Sequence, residues 1–224
     1  MEKPSSRTAA VQEFYQAYLV QQDTAAFIKS VTEQYTIGTL ERLTAQGSRL
    51  TRRAAVLALG LVGGYESNSV LGRALQDKDR GVRTLAENGI RQLWCRAGNQ
   101  QQRQQLGVVI RLNTARRFDE AVVRATELIE TAPWFAEAWN QRAIANYQRG
   151  RHAESARDCH QVIEINPYHF AAVAGMGQCH LQLRNHVAAL DCFRRALRLY
   201  PDMEGVRAHV AYLERALKRK GKKQ

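Results

Sequence analysis

The chain has 224 residues, of which 45% are hydrophobic, and this content supports a packed core and excludes wholesale disorder. Basic residues outnumber acidic ones by 33 to 21, and the resulting net charge of +12 is compatible with a polyanionic partner such as nucleic acid. The longest apolar run, residues 54–64, is too short for the roughly 20 residues that span a bilayer, and the polar amino terminus shows no signal-peptide pattern. We therefore expect a cytoplasmic protein without a transmembrane segment, with reduced cysteines because no Cys-x-x-Cys pair occurs.

Two amphipathic helices are predicted near the amino terminus, over residues 7–21 and 23–35. In the first of them Val11, Phe14 and Tyr18 recur at helical spacing, so they share one apolar face. Both helices are expected to cover the end of the helical block that follows them.

A 31-residue offset relates two stretches of that block, pairing Arg52 with Arg83 and Ala55 with Ala86. Residues 77–86 contain an Asp-containing turn followed by a Val-Arg helix start, and this segment resembles a HEAT repeat. The resemblance extends over about residues 36–97 and implies stacked helical hairpins.

A 34-residue period dominates the rest of the chain. Pro133, Pro167 and Pro201 are 34 residues apart, and each stands where a helix must stop, because proline lacks an N–H and disfavours helical angles in the residue before it. Small residues recur in the same frame, at positions where paired helices must approach closely; they are Ala121, Ser155 and Ala189. Each period therefore predicts one helical hairpin.

In this frame the chain resembles three tetratricopeptide repeats, at residues 102–135, 136–169 and 170–203. The third repeat fits the family pattern well through Gly177 and Phe193, and Gly177 is expected to be buried where two helices meet. The second repeat departs from the pattern, since Arg142 and Asn146 replace the usual Leu and Tyr.

We therefore predict an all-α protein, an α-solenoid in which a HEAT-like block is followed by three tetratricopeptide repeats and a capping helix. The capping helix is predicted over residues 204–219. A polar stretch at residues 98–105 is the best candidate for a boundary between residues 1–97 and 98–224; a single continuous superhelix of both blocks is the alternative.

Catalytic and metal sites find little support in the sequence, which lacks GxGxxG, Walker, HExxH and GxSxG motifs. His152 and His186 occupy equivalent repeat positions, where helix packing explains them. Cysteines precede histidines at residues 159–160 and 179–180, but these pairs fall at different repeat offsets and define no shared zinc site. We expect no enzyme activity, cofactor or metal; kinship with bilin lyases that have HEAT-like repeats would rest on fold analogy alone.

The tetratricopeptide resemblance implies that the working surface is the concave face lined by the first helix of each repeat. The candidate partner-binding residues there are Ile110, Asn113, Asn140, Ile144, Tyr147, Gln148, Gln178, Leu181 and Gln182. Amides can bond to the backbone of an extended peptide, and apolar positions can receive its side chains. Asn140, Tyr147 and Gln178 are the polar groups best placed to orient such a segment; an ordinary solvated helix surface is the alternative interpretation.

The leading hypothesis is a non-enzymatic adaptor for protein–protein interaction, with another protein or peptide as its partner. Family members that capture the acidic C-terminal peptides of chaperones use a clamp of Lys, Arg and Asn. The matching positions of this chain hold Leu106, Ile110, Gln141, Ala171 and Gly175, so that class of ligand is not expected.

The alternative hypothesis is a helical-repeat protein that binds nucleic acid or another polyanion. It would use a basic face of the HEAT-like block and the basic tail, namely Arg52, Arg53, Arg80, Arg83, Lys218, Arg219, Lys220, Lys222 and Lys223. A continuous positive stripe would support this hypothesis, whereas interspersed acidic side chains would argue against it. The tail also has a plain interpretation as a solvated terminus that aids solubility.

Overall fold

The computed structural model of the protein describes the backbone of residues 5–221 and the side chains of residues 10–219. Every regular element in that range is helical, which confirms the all-α prediction. The chain divides into two compact units, Met1–Arg96 and Ala97–Gln224. Among the described helices, none is both long and apolar enough to cross a membrane.

The first unit is built from six α-helices and a short 3-10 turn within its described part. The helices are α1 (Ser5–Gln21), α2 (Thr24–Gln34), α3 (Ile37–Gln46), α4 (Arg49–Val62), α5 (Asn68–Ala74) and α6 (Arg80–Arg96), and the turn is Tyr65–Ser67. Asp23, Thr36 and Ser48 fix three helix starts, because each side chain accepts a hydrogen bond from the backbone N–H three residues later. The central helix is α4, which packs against α1, α3 and α6 and buries Leu59 completely.

The described part of the second unit contains seven helices. They are α7 (Gln100–Thr114), α8 (Phe118–Thr131), α9 (Ala136–Gln148), α10 (His152–Ile165), α11 (Phe170–Gln182), α12 (His186–Leu199) and α13 (Glu204–Gly221). Each helix packs against the next one along the chain, as stacked hairpins require. Ala121, Ser155 and Ala189, the small residues of the 34-residue period, are all buried.

All four cysteines are free thiols, in agreement with the spacing argument. Cys159, Cys179 and Cys192 are buried, and Cys179 donates a hydrogen bond from Sγ to the hydroxyl of Ser155 at 3.2 Å. These residues therefore serve as small core side chains of the second unit.

The three hairpins turn between their helices through the same backbone geometry. One residue of each turn adopts a left-handed conformation; these residues are Arg116 (φ 60°), Gly150 (φ 75°) and Arg184 (φ 58°). The N–H of the residue that follows donates to the carbonyl five positions back, at 2.8–2.9 Å, and this bond closes the first helix. Such a position favours glycine, because a Cβ is strained at positive φ, yet two of the three positions hold arginine.

Gly177 is buried on α11 and faces the ring of Phe193 on α12. A Cβ added at residue 177 would lie 2.7 Å from Cε1 of Phe193, closer than carbon atoms pack. We predict that Gly177→Leu lowers the free energy of unfolding by about 2–3 kcal/mol, because the added side chain overpacks the contact. Urea denaturation followed by circular dichroism measures the change.

Gly205→Leu is the matched control, since a Cβ at Gly205 on α13 would meet no atom within 4 Å. This variant should keep or slightly raise the stability, because Leu favours a helix over Gly. Equal stabilities of the two variants would show that Gly177 does not set the spacing of α11 and α12.

Candidate partner-binding face

The residues predicted to bind a partner lie on the first helices of the three hairpins, α7, α9 and α11. In the structure α7 packs against α9, and α9 against α11. The nine predicted residues define what we call the first-helix face. Ile144, Gln148 and Gln182 are exposed there; Ile110, Asn113, Tyr147, Gln178 and Leu181 are half-buried; and Asn140 is buried.

Several polar side chains of the first-helix face link one helix to the next. The links run from Asn113 Nδ2 to the backbone O and to Oε1 of Gln141, both at 3.0 Å, from Gln182 Nε2 to the hydroxyl of Tyr147 at 3.4 Å, and from Gln178 Nε2 to Nε2 of His209 at 3.0 Å. These side chains therefore hold the helices together as well as facing solvent.

Asn140, predicted to orient a bound segment, is instead mostly buried and bonded within the protein. Only 9% of its surface is exposed, and Nδ2 donates to Oε1 of Glu137 at 3.0 Å. Replacing it would therefore leave a buried carboxylate without one of its donors, which costs stability.

Glu137 is the centre of a buried polar cluster that the sequence did not reveal. Gln141 donates to Oε1 at 2.7 Å, and His169 lies 3.1 Å from Oε2. Because Nδ1 of His169 accepts the N–H of Ala172 at 3.1 Å, the proton of this imidazole is on Nε2, which donates to Glu137. His169 thus caps the start of α11 and binds a carboxylate of α9.

Burial raises the pKa of Glu137, but hydrogen bonds from His169, Gln141 and Asn140 outweigh this cost and hold the pKa below its ordinary value. The carboxylate is therefore ionised at neutral pH, and the first-helix face has a negative charge beneath it.

One repeat position of the first-helix face extends into the capping helix. Ile110, Ile144 and Gln178 are 34 residues apart, and the next member of the series is Tyr212 on α13. Ile144 is 40% exposed and Tyr212 is 58% exposed. Tyr212 is not among the nine residues predicted from the sequence, although the 34-residue period carried one step further points to it.

The second hairpin contains a buried ion pair at the positions where it departs from the family pattern. Arg142 donates from Nε and Nη2 to the carboxylate of Asp158, at 3.0 and 2.8 Å, and Asn146 donates to the same carboxylate at 3.1 Å. The third nitrogen of Arg142 donates to the hydroxyl of Thr126 at 3.0 Å, and its guanidinium lies 4.8 Å from the ring centre of Trp139. The polar residues at 142 and 146 thus replace apolar packing by a satisfied network.

A cavity of about 240 Å³ opens beside this network, between α8, α9 and α10. Its walls are formed by Val122, Thr126, Arg142, Asn146, Arg151, Glu154, Arg157 and Asp158. Within the described part of the chain, no group of three or more His, Cys, Asp and Glu side chains is arranged to hold a metal ion.

The basic residues proposed for polyanion binding on the first unit are largely engaged in internal contacts. Arg52 is only 7% exposed and forms a bidentate ion pair with Asp77, at 2.7 and 2.9 Å. Arg53 binds Asp79 at the same two distances, and Arg83 donates to the backbone O of Asp77 at 2.9 Å. Asp77 and Asp79 therefore order the turn before α6 instead of being solvated.

The ion pair with Arg53 lowers the pKa of Asp79 to about 2. Arg80 is exposed, so of these four arginines it offers the most accessible guanidinium. In the tail, Lys218 and Arg219 are exposed on α13, whereas the side chain of Lys220, and all of Lys222 and Lys223, lie outside the described residues. The four arginines named for the polyanion hypothesis in the first unit therefore form no continuous basic stripe.

We predict that the contribution of Glu137 to stability depends on pH. Its folded-state pKa lies below the unfolded value of about 4.5, so the stabilisation is present above that pH and is lost as the pH falls through the folded-state pKa. Glu137→Gln should lower the free energy of unfolding by about 1–3 kcal/mol at pH 7, because an amide N–H would face the donors.

The deficit of Glu137→Gln relative to wild type should narrow below about pH 4.5, measured by urea denaturation across the pH range. Glu130→Gln, which removes an exposed carboxyl of α8, is the control and should show almost no deficit. A deficit that is independent of pH would mean that the charge of Glu137 is not what the cluster binds.

We also predict that Arg142→Leu destabilises the protein by about 3 kcal/mol, because the carboxylate of Asp158 stays buried without its cation. Adding Asp158→Asn removes that charge, so the double variant should be more stable than Arg142→Leu alone. Thermal and urea denaturation give the free energy of unfolding of both single variants and of the double variant. If the double variant loses the sum of the two single losses, a direct ion pair is contradicted.

Comparison with known proteins identifies part of the second unit. Residues 136–169 and 171–203 match the family model of the tetratricopeptide repeat. A TPR repeat-containing protein of Rhizobium etli is 36% identical over 75 residues, which are 34% of this chain and 37% of that protein. The Hsp70-Hsp90 organizing protein of Triticum aestivum is 26% identical over 103 residues, which are 46% of this chain and 18% of that protein.

The chain thus spans less than two fifths of the length of these curated relatives. Among solved structures, the first TPR of Spaghetti (RPAP3), bound to the HSP90 peptide SRMEEVD, is similar with a TM-score of 0.52 and 19% identity. That similarity covers 54% of this chain and 96% of the other, and it concerns the fold. The HEAT-like interpretation of residues 36–97 stays a prediction, whereas the match to the tetratricopeptide-repeat model supports the second and third predicted repeats, at residues 136–169 and 171–203.

Proposed function

We propose that the protein is a non-enzymatic adaptor that binds a segment of a partner protein along the first-helix face. The observation that carries the proposal is the series of side chains at one repeat position, which leaves Ile144 and Tyr212 exposed. Exposed apolar side chains that recur at one repeat position of a helical array suit an extended or helical segment of another protein. The tetratricopeptide matches support the same class of function.

The polar groups of the first-helix face complement this apolar series. Gln148 and Gln182 are exposed amides that can bond to the backbone of a bound segment. Tyr147 and Leu181 contribute half-buried apolar surface between them. The proposed ligand is therefore a segment with apolar side chains whose backbone bonds to amides.

The acidic chaperone peptide in the Spaghetti complex is not the ligand that we propose here. The positions of the basic clamp hold uncharged residues, of which Leu106 is buried and Gln141 is bound to Asn113 and Glu137. The ionised Glu137 beneath the face adds a negative charge. A peptide that ends in several carboxylates would meet repulsion and no cation at these positions.

Peptides selected by the full-length protein from a displayed random library provide the test. We predict that the selected peptides are apolar, and that Ile144→Ser with Tyr212→Ser weakens their binding at least tenfold, about 1.4 kcal/mol. Fluorescence polarisation measures the affinities. The double variant should fold normally, since both side chains are exposed.

Val123→Ser with Val187→Ser is the matched control, because these valines are exposed to 57% and 60% but lie on α8 and α12. This control should change the affinity less than twofold. If the control weakens binding as much as the Ile144 and Tyr212 changes do, the first-helix face is not the binding surface.

A further inference from the structure

The turns within the three hairpins form one edge of the second unit, because they occupy the same position in consecutive stacked repeats. We call residues 115–117, 149–151 and 183–185 the turn edge. An ion pair links two of its layers, since Arg149 lies 2.6 Å from Asp119, which is next to the first turn. The turn edge adjoins the first-helix face, because Gln148 and Gln182 end α9 and α11 directly before residues 149 and 183.

Arginine is present in every turn of this edge. Two of these arginines are paired, Arg117 with Glu120 at 2.6 Å and Arg149 with Asp119. The other three, Arg116, Arg151 and Arg184, are exposed and form no ion pair with any side chain that the structure describes. Each layer of the edge thus presents one unpaired guanidinium.

The backbone offers no structural reason for arginine at two of these positions. Arg116 and Arg184 occupy the left-handed, helix-ending position for which glycine is preferred, and the middle hairpin has Gly150 at that position. Because both arginines are exposed and unpaired, neither packing nor an ion pair offsets the strain. Strain that persists without a structural benefit points to a role for the charge itself.

We propose that the turn edge is a docking surface for an acidic segment of a partner protein, bound through Arg116, Arg151 and Arg184. Each guanidinium can take one carboxylate in a bidentate pair, and these pairs are stronger than neutral hydrogen bonds. Arg151 also lines the 240 Å³ cavity together with Arg157, so the middle layer offers room for a carboxylate side chain.

Acidic residues on the edge favour a polypeptide over a nucleic acid. Asp119, Glu120 and Glu154 are interspersed among the arginines, so the positive charge is broken along the edge. A continuous phosphate backbone would meet repulsion at these carboxylates, whereas a peptide can place its acidic side chains only where a free arginine stands.

The test uses the full-length protein and a fluorescein-labelled peptide of sixteen residues in which Glu and Ser alternate, in buffer with 50 mM salt. The edge variant combines Arg116→Gly, Arg151→Gln and Arg184→Gly. The control variant, Arg195→Gln with Arg198→Gln and Arg207→Gln, removes the same charge from exposed positions on α12 and α13.

We expect the edge variant to bind the peptide at least tenfold more weakly, and the control variant less than threefold more weakly. We also expect the melting temperature of the edge variant to equal or exceed that of wild type, because glycine relieves the strain at positions 116 and 184. Apolar peptides selected on the first-helix face should bind this variant normally, which keeps the two binding proposals distinguishable.

Three results would overturn the inference. They are no peptide binding by the wild-type protein, equal losses in the edge and control variants, and a lower melting temperature of the edge variant. Tighter, edge-dependent binding of a single-stranded RNA of twenty nucleotides than of the peptide would instead assign the edge to nucleic acid.

Discussion

The second unit depends on the close approach of paired helices at one small residue in each repeat. Ala121, Ser155 and Ala189 are buried where the second helix of a hairpin meets the first. In the middle hairpin the hydroxyl of Ser155 donates to the carbonyl O of Ala143 at 2.8 Å, so the contact extends to the backbone. Since each hairpin packs mainly on its neighbours, this local spacing sets the position of every first helix and of the side chains that it presents.

Within this regular array, the middle hairpin is held by polar contacts where its neighbours use apolar ones. Arg142 and Asp158 pair inside it, and Glu137 joins it to His169 at the start of the next hairpin. Both carboxylates are buried and multiply bonded, so each depends on a specific partner rather than on general packing. Such pairs distinguish one hairpin from another and oppose a slip of the array by one repeat.

The sequence predicts the architecture well because periodicity is a property of many residues at once. The 34-residue period places Pro133, Pro167 and Pro201 after the second helices, and the matched repeats lie in that frame. Composition and helical spacing likewise predict helices in the first unit, where every described element is helical.

The ion pairs and buried hydrogen bonds cannot be predicted in this way, because the residues that they join are not related by the repeat period. Arg52 and Arg53 suggest a basic surface in the sequence, but their partners Asp77 and Asp79 are 25 and 26 residues away and become visible only in the fold. Glu137 and His169 are separated by 32 residues, close to one repeat, yet the equivalent positions elsewhere hold no such pair. The roles of individual polar residues on the first-helix face are unpredictable for the same reason.

The series Ile110, Ile144, Gln178 and Tyr212 contains three apolar side chains and one amide, in an order that is not symmetric. An apolar side chain of the segment is accommodated at the first, second and fourth places, whereas the third place has an amide that already bonds to His209. If the segment were displaced by one hairpin, or bound in the reverse direction, one of its apolar side chains would lie on the amide of Gln178. One apolar position of the series would then have no apolar side chain against it. For the ligand proposed above, we therefore expect one register and one chain direction along the array.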